Sequence, residues 1–475
     1  MVRRFFKDSA VYALANITAR GLSLFFVPYY VRVLSEEEIG TLDLILAWSG
    51  FATVITGLEI AIGLARGYAE QKDDAARREV ASTAFWFSLT VYGLFFIVAA
   101  AAARPIAAVL FGDASHAAAV TASAASVTGA GIFVIISQQL RYMMKSGLFA
   151  LLSLLSAVTG LVSTVCYVSW LRMGIAGVLL GTLTGVVAAG IPAWYLTRGM
   201  FAFTFSRSRC IQLLKFSLPL VPSSVAVILT AQISRLSIDH FLTRDAVGIY
   251  GIAARIGSMI TLVMTGFQNA LAPLVFARHA EKDTPGDLAK IFRIFAVAAL
   301  AGTAGFILFS REVLHVMTTP DYAGALPAVM ILAPSALLAQ MYVFAPGAWI
   351  AKRTWWITGV NVCAAVLSVG LNWTLIPVAG LQGAAWASLA SALVSFALNM
   401  LISQRLYPVP HHWGRMAVAF GGTALCVACG LSFGGVAPWT GMVARLVALA
   451  AAILWIWRIL GLPLRLRPVD PAPVS

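Results

Sequence analysis

Long apolar runs separated by short polar segments dominate the hydrophobic pattern of this chain. About 20 apolar residues in a helix are enough to cross the hydrocarbon core of a bilayer. Fourteen runs approach or exceed that length, at residues 9–31, 41–65, 80–103, 117–140, 147–171, 175–197, 211–239, 248–277, 291–310, 325–350, 355–377, 382–404, 414–433 and 439–461. The pattern therefore predicts an all-α polytopic membrane protein with about 14 transmembrane helices.

The composition agrees with this pattern. Of the 475 residues, 60% are hydrophobic and 11% are charged, and the mean hydropathy is +0.88. A soluble globular domain does not have such a composition, whereas a membrane protein with many spans does.

The basic residues are unevenly placed along the chain. Loops on one side of the predicted spans carry most of the 33 Lys and Arg residues. The opposite loops hold Arg32, Arg104, Arg172, Arg244 and Arg311. The positive-inside rule puts the basic loops, and with them both termini, in the cytoplasm. The net charge of +14 is thus explained by topology, and we expect no nucleic-acid partner.

Three short matches indicate an internal repeat. LSEEEIG (34–40) matches LTRDAVG (242–248), MMKSG (143–147) resembles IAKRT (350–354), and GIAG (174–177) matches GLQG (380–383), all at nearly the same separation. Each interval contains six predicted spans, so the two halves have the same orientation and are related by an axis along the membrane normal. We expect one six-helix bundle at 1–205, a second at 206–408, and two further helices with a cytoplasmic tail at 409–475.

Charged side chains lie inside several predicted spans. A buried Arg costs about 2.5–3.5 kcal/mol on insertion scales, so each such charge needs a physical reason. The charges are Arg20, on a polar face with Asn16, in the first span; Glu59 in the second; Arg235, on a face with Gln232 and Asp239, in the seventh; and Arg255 in the eighth.

These charges allow two interpretations. In the first they pair with one another and join helices, and Arg235 with Asp239 has the i, i+4 spacing that such a pair needs. In the second the arginines line a cavity, because Arg20 and Arg255 have no carboxylate within reach on their own helices. A cationic interior suits an anion, and the guanidinium fork suits phosphate oxygens. Glu59 and Asp239 are then candidates for coupling transport to a proton or sodium ion.

The sequence carries no motif for catalysis or for a cofactor. It lacks the G-x-x-x-x-G-K-[ST] phosphate loop, and its histidines lack metal-ligand spacing. Cys426-x-x-Cys429 has the spacing of a metal or redox motif, but it lies in an apolar run without further ligands, which favours helix packing. We therefore predict that the chain is not an enzyme and holds neither metal nor cofactor.

Four segments resemble the polysaccharide-transporter family, which includes the Wzx-type O-antigen and capsule repeat-unit flippases. The same superfamily holds the multidrug MATE exporters and the lipid II flippases. The segments are ALANITARGLSLFFVPYYVRVLSEEEIGTLDLI, LEIAIGLARGYAE, FSLPLVPSSVAVILTAQISRLSIDHFLTRDAVGIYGIAARIG and NWTLIPVAGLQGAAWASLAS. The resemblance implies two six-helix bundles around a cationic cavity, with Arg20, Arg235 and Arg255 on the helices that face it.

The implied function is movement of an undecaprenyl-diphosphate-linked glycan across the bacterial inner membrane by alternating access. Its expected partners are that glycan, the lipid bilayer, and a polysaccharide polymerase with chain-length or export proteins. A MATE-like, cation-coupled exporter of small molecules is one alternative, and it predicts a cavity dominated by carboxylates. A membrane polymerase or glycosyltransferase is another, and such enzymes usually need a sizeable outer loop. A structural scaffold is a third, but it gives the buried charges no role.

Overall fold

The computed structural model describes residues 18, 21, 22, 24, 26–143, 145–262, 264, 284–351, 353–432 and 438–460. The described residues form helices joined by short turns and contain no β-strand, which confirms the predicted all-α class. The first predicted span and the second half of the eighth lie largely outside them. The termini also lie outside.

We number the described α-helices in chain order. They are α1 (Val27–Val33), α2 (Glu36–Gly57), α3 (Ile60–Glu70), α4 (Asp74–Ala101), α5 (Ala103–Phe111), α6 (Ala117–Tyr142), α7 (Ser146–Val165), α8 (Gly174–Thr197), α9 (Arg207–Ser217), α10 (Val221–Phe241), α11 (Arg244–Gly257), α12 (Thr284–Leu308), α13 (Ser310–Met317), α14 (Leu326–Gln340), α15 (Gly347–Ile350), α16 (Thr354–Leu406), α17 (Trp413–Ser432) and α18 (Pro438–Leu460).

Eleven helical segments among the described residues are long and apolar enough to span a membrane. One of them, Trp355–Leu406, contains two predicted spans, and α16 consists of two helices that meet at a kink. At the junction Gly380 has φ +56° and ψ −134°, a backbone conformation that is open essentially to glycine alone. The chain is thus a multi-pass membrane protein. The count of fourteen spans stays a prediction.

The first repeat packs around one apolar core. Buried residues of α3, α4, α6, α7 and α8 form it, with Leu213 of α9 added from the segment that precedes the second repeat. The pairs α7–α8, α6–α8 and α4–α6 provide the main helix contacts. In the second repeat α10 and α14 both pack against α16, and α11 packs against α14.

The chain divides into two compact units by its contacts. One comprises Met1–Leu274 with Val313–Tyr407, and the other comprises Val275–Glu312 with Pro408–Ser475. Helix α12 belongs to the second unit, although the sequence assigns it to the second six-helix bundle. The three-part division at 1–205, 206–408 and 409–475 therefore stays a prediction.

The second unit has its own core and its own buried charge. Helices α17 and α18 pack against each other and against α12. Arg445 of α18 is 8% exposed and forms an ion pair with Glu312. In the turn before α17, the His411 ring lies 4.6 Å from Phe292 and 5.2 Å from Trp413. Burial lowers the pKa of His411 to about 4.

We name the two ends of the membrane helices by their loops. The basic side is the end at which the α3–α4, α8–α9 and α16–α17 connections lie, where most Lys and Arg residues are found. The opposite side is the end at which α2 and α11 begin. The candidate site described next lies nearer the opposite side.

Candidate functional site

The site is centred on Asp43, an acidic residue buried inside α2. Ser35 begins this helix with a capping box, because its hydroxyl accepts from the Glu38 backbone N–H and the Glu38 carboxylate accepts from the Ser35 backbone N–H. Asp43 lies two turns further on, about 10 Å along the helix at 1.5 Å per residue. Its side chain is 2% exposed. A carboxylate this deeply buried needs a cationic partner.

Two arginines supply that partner. The Nε of Arg235, on α10, lies 3.1 Å from Asp43 Oδ2, and the guanidinium of Arg255, on α11, pairs with Asp43 Oδ1. Arg235 also donates to the Gln232 side-chain oxygen at 3.1 Å and to the Ala231 carbonyl at 3.3 Å. The three charges sum to one excess positive charge. The arginine side chains are 17% and 24% exposed, so neither is as fully buried as Asp43.

Glycines let α2 and α11 approach closely at this site. A Cβ on Gly40 would lie 2.9 Å from the Arg244 carbonyl carbon, and a Cβ on Gly248 would lie 3.1 Å from the Glu36 carbonyl carbon. The contact is reciprocal: LSEEEIG ends at Gly40 and LTRDAVG ends at Gly248, so each glycine meets the start of the other repeat's helix. This is the geometry of a two-fold contact between equivalent surfaces.

The two repeats differ in sequence at the positions of the charged residues. The alignment that pairs Gly40 with Gly248 also pairs Asp43 with Gly251, and Ala47 with Arg255. A Cβ on Gly251 would lie 2.8 Å from the Asp43 carboxyl carbon, so the missing side chain provides the space that Asp43 fills. One repeat therefore contributes the acid and the other the base. An ion pair joins them across the contact.

Of the predicted site residues, Arg235, Gln232 and Arg255 come together here. Arg20 and Asn16 lie outside the described residues. The pair that the i, i+4 spacing allowed between Arg235 and Asp239 is not formed, because Arg235 turns to Asp43. Asp239 instead has Arg244 as its partner, with 3.8 Å between carboxylate and Nε.

Glu59 occupies a break in the second span. Leu58 and Glu59, between α2 and α3, have φ values of 47° and 54°, in the left-handed region that non-glycine residues rarely adopt. Within the part of the chain that the structure describes, the Glu59 carboxylate has no hydrogen bond or ion pair. Its side chain is half-buried, so a small cation or a proton has access to it. Strain at such a position is often found where a chain moves or binds.

The sequence reasoning missed two charged residues. Asp43 lies at the edge of the second predicted span, 41–65, where an acid is ordinary, and nothing local indicates that it is buried. Arg445 lies inside the fourteenth predicted span and was detectable as an intramembrane arginine. Its pairing with Glu312 fits the helix-joining interpretation rather than a cavity.

The cluster offers a forked cationic surface with an internal counter-ion. Guanidinium groups hold phosphate oxygens through paired N–H donors, which gives both strength and orientation. The described residues contain no group of His, Cys, Asp and Glu that would hold a metal ion. The arrangement is suited to exchanging one bound anion, Asp43, for another.

Comparison with known proteins agrees with the geometry. The family described as polysaccharide biosynthesis protein matches residues 5–279. The Lsg locus putative protein 1 of Haemophilus influenzae is 19% identical over 288 residues, which cover 59% of this chain and 68% of that protein.

Two solved structures share the fold. The lipid II flippase MurJ in an inward closed conformation superposes with a TM-score of 0.74 and 11% identity, over 94% of this chain and 98% of that one. An inward-facing multidrug resistance MATE family transporter of the MOP superfamily superposes with a TM-score of 0.68 and 16% identity, over 83% of this chain and 98% of that one. The chain therefore has the fold of MOP-superfamily transporters, as the resemblance implied.

Proposed function

The chain belongs to the polysaccharide biosynthesis protein family, and from that membership we propose that it is a flippase. Its substrate is an oligosaccharide repeat unit of O-antigen, capsule or exopolysaccharide, linked to undecaprenyl diphosphate. It moves this lipid from the cytoplasmic to the outer leaflet of the bacterial inner membrane. The basic side and both termini face the cytoplasm in this proposal. A polymerase and chain-length or export proteins then receive the product.

One observation carries the proposal: two arginines from the second repeat share a single buried carboxylate from the first. A diphosphate that enters from the basic side competes with Asp43 for Arg235 and Arg255. Both ligands are oxyanions, so the guanidinium groups bind either with similar geometry. Arg20, by its place in the first span, adds a further positive charge.

Exchange of the two anions links binding to opening. While Asp43 holds the arginines, α2 stays against α10 and α11, and the opposite side is closed. When the diphosphate binds Arg235 and Arg255, the ion pairs of these arginines with Asp43, which hold the opposite side closed, are broken. Breaking a buried pair costs about 3–5 kcal/mol, and reversing a 1:99 equilibrium requires about 5.5 kcal/mol of differential binding. The free energy of this exchange is therefore large enough to drive much of the conformational change.

The energy comes from the membrane potential or an ion gradient, because the sequence has no phosphate loop for ATP. An anion that moves outward from a negative interior gains about 2.3 kcal/mol per charge per 100 mV. Glu59, at the strained break between α2 and α3, and Asp239 are the candidate carriers of a coupled ion. Transport measured in vesicles whose membrane potential has been collapsed tests whether the potential drives the reaction. An unchanged rate would refute that role of the potential.

The cluster favours this function over the two main alternatives. A MATE-like cation exporter calls for a cavity dominated by carboxylates, whereas the described cluster has two arginines to one aspartate. A polymerase or glycosyltransferase calls for catalytic groups on a sizeable outer loop. The longest described connection on the opposite side, around 309–325, is short and largely helical.

The test is a transport assay with an arginine variant and a matched control. Proteoliposomes that contain a polyprenyl-diphosphate oligosaccharide are treated with an impermeant glycan-cleaving enzyme, which reports how much lipid has crossed. We expect Arg255→Ala to lower the rate at least tenfold, because the loss of a charge-assisted bond is worth about 1.5–3 kcal/mol. Arg104→Ala removes an exposed arginine outside the site and should leave the rate unchanged.

In cells, Arg255→Ala should cause lipid-linked repeat units to accumulate on the cytoplasmic face. Equal transport by Arg255→Ala and Arg104→Ala would refute a role for the cluster in moving the substrate. Accumulation of undecaprenyl diphosphate without attached sugars would point to an enzyme instead.

A further inference from the structure

A cationic cavity lies at the basic side, away from the Asp43 cluster. It is a cleft of about 310 Å³ between the end of α3 and the helix α9. Its lining includes three basic side chains, Arg66, Arg209 and Lys215, and one acidic side chain, Glu70. We call it the α3–α9 cleft. Neither the family match nor the proposed transport mechanism assigns it a role.

The cleft exists because α9 packs by one face only. Cys210, Leu213 and Ser217 follow at helical spacing and are buried, whereas Arg207, Gln212 and Lys215 are exposed. On α3, a Cβ at Gly67 would lie 2.7 Å from Leu213 Cδ2, so the absence of a side chain there lets α9 approach. The small residues of α3 thus bring the basic residues of both helices to one place.

The charges in the cleft are only partly neutralised. Arg66 pairs with Glu70 at 2.7 Å and its guanidinium lies 4.3 Å from the centre of the Phe216 ring, which fixes its plane. Arg209 lies 3.4 Å from the carboxylate of Glu79. Among the described residues no carboxylate pairs with Lys215. The cleft lining therefore includes one ammonium group without a carboxylate partner among the described residues, together with the stacked guanidinium group of Arg66.

The loop just before α9 carries two exposed aromatic side chains. Phe203 and Phe205 are 94% and 54% exposed. Aromatic side chains beside basic ones are typical of the interface between lipid headgroups and water.

These rings are held outward rather than left loose. The Trp86 indole N–H donates to the Ala202 carbonyl at 2.9 Å, and the Ala202 N–H donates to the Ser82 hydroxyl at 2.7 Å. The Ser206 N–H donates to the Thr83 hydroxyl at 3.2 Å. The loop is therefore fixed to α4, and the exposed rings are presented in a defined direction.

From this arrangement we propose that the α3–α9 cleft binds the phosphate group of a membrane lipid in the cytoplasmic leaflet. Arg66 and Lys215 hold the phosphate oxygens, while Phe203 and Phe205 insert beside the acyl chains. The ligand is either an anionic phospholipid or a polyprenyl phosphate, and both present anionic phosphate oxygens at the membrane surface. This lipid site does not depend on flippase activity, because it requires only that these residues lie at the basic side of a membrane protein.

The experiment measures lipid binding by the full-length protein. The purified chain is titrated in detergent with phosphatidylglycerol, phosphatidylcholine or undecaprenyl diphosphate, and bound lipid is counted by native mass spectrometry. We expect Lys215→Gln to weaken binding of the preferred phosphate lipid about fivefold, and Lys215→Gln with Arg66→Gln about 25-fold, as expected for independent loss of two interfacial charges. Binding of phosphatidylcholine, whose ammonium group offsets the charge of its phosphate, should change much less.

Arg207→Gln is the matched control, because Arg207 is an exposed arginine on the same helix that does not line the cleft. A loss confined to phosphatidylglycerol identifies a phospholipid site, and a loss confined to undecaprenyl diphosphate identifies a site for polyprenyl phosphates. The proposal is overturned if Arg207→Gln weakens binding as much as Lys215→Gln, or if neither lipid responds. Because the experiment measures lipid binding and not transport, neither result bears on the proposed flippase activity, which the transport assay tests separately.

Discussion

The close approach of α2 and α11 leads to a quantitative prediction for Gly248→Ala. The added methyl carbon would lie 3.1 Å from both the Glu36 carbonyl carbon and the Gly40 nitrogen, and closer still to the Glu36 oxygen. Carbon atoms in good contact lie about 3.5–4.0 Å apart, so the two helices must separate locally by about 1 Å or bend. Asp43 lies about one turn beyond Gly40 on α2 and Arg255 about two turns beyond Gly248 on α11, so their ion pair would be stretched.

The expected cost is that of overpacking, about 1–3 kcal/mol. Because this cost falls only on the form in which α2 and α11 touch, it shifts the equilibrium towards the form open at the opposite side by about 5- to 150-fold. Gly40→Ala should act in the same way, since the contact is reciprocal.

The assay uses a cysteine at Ala47, which is fully buried beside the contact. The rate at which an impermeant maleimide labels Ala47→Cys from the opposite side reports opening, after subtraction of the labelling of the protein without this cysteine. Gly248→Ala should raise that rate by at least fivefold. Gly93→Ala is the control, because its Cβ has no neighbour within 4 Å.

The same labelling rate for Gly248→Ala and Gly93→Ala would refute the reasoning. It would mean that the contact between the two repeats does not close the opposite side. Total cysteine measured after denaturation normalises the rates to the amount of protein.

Three further outcomes follow from the charges. Asp43→Asn keeps the volume but removes the counter-ion of Arg255, so we expect inorganic diphosphate to bind about tenfold more tightly by calorimetry while transport slows. His411→Phe should make thermal stability less dependent on pH. Because burial lowers the pKa of His411 from 6.5 to about 4, the wild-type protein loses up to about 3 kcal/mol of folding stability as the pH falls from 6.5 to about 4, and no more at lower pH. Arg445→Leu should lower stability by less than about 2 kcal/mol, since Glu312 is half exposed, and should leave transport unchanged.

The hydrophobic pattern predicted the helices well because the thickness of a bilayer fixes their length. Helix α4 covers the predicted span 80–103 to within a turn at its end and begins earlier, at Asp74, since its first turns lie beyond the apolar part. The pattern also separated the spans 355–377 and 382–404, and the chain folds back between them: Gly380 has a non-helical backbone, and a Cβ on Gly383 would lie 2.6 Å from the carbonyl carbon of Leu375. No count of apolar residues shows that a single glycine suffices for this turn.

The charged site was predicted in part, for a physical reason. Arg235 and Arg255 stand out because an arginine inside an apolar run is costly wherever it points. Asp43 lies where a helix normally meets water, and it is buried only because α11, some 200 residues away in the chain, covers it. The partner of Arg235 was wrongly sought on its own helix because sequence spacing reveals i, i+4 neighbours but not neighbours on another helix.

The unequal residues at the contact between repeats make the two halves dependent on each other. Two copies of the first half would set one aspartate against another, with no glycine to make room. Two copies of the second half would bring Arg235 and Arg255 in twice and supply no aspartate. Neither half can therefore be replaced by a second copy of the other without losing the ion pair.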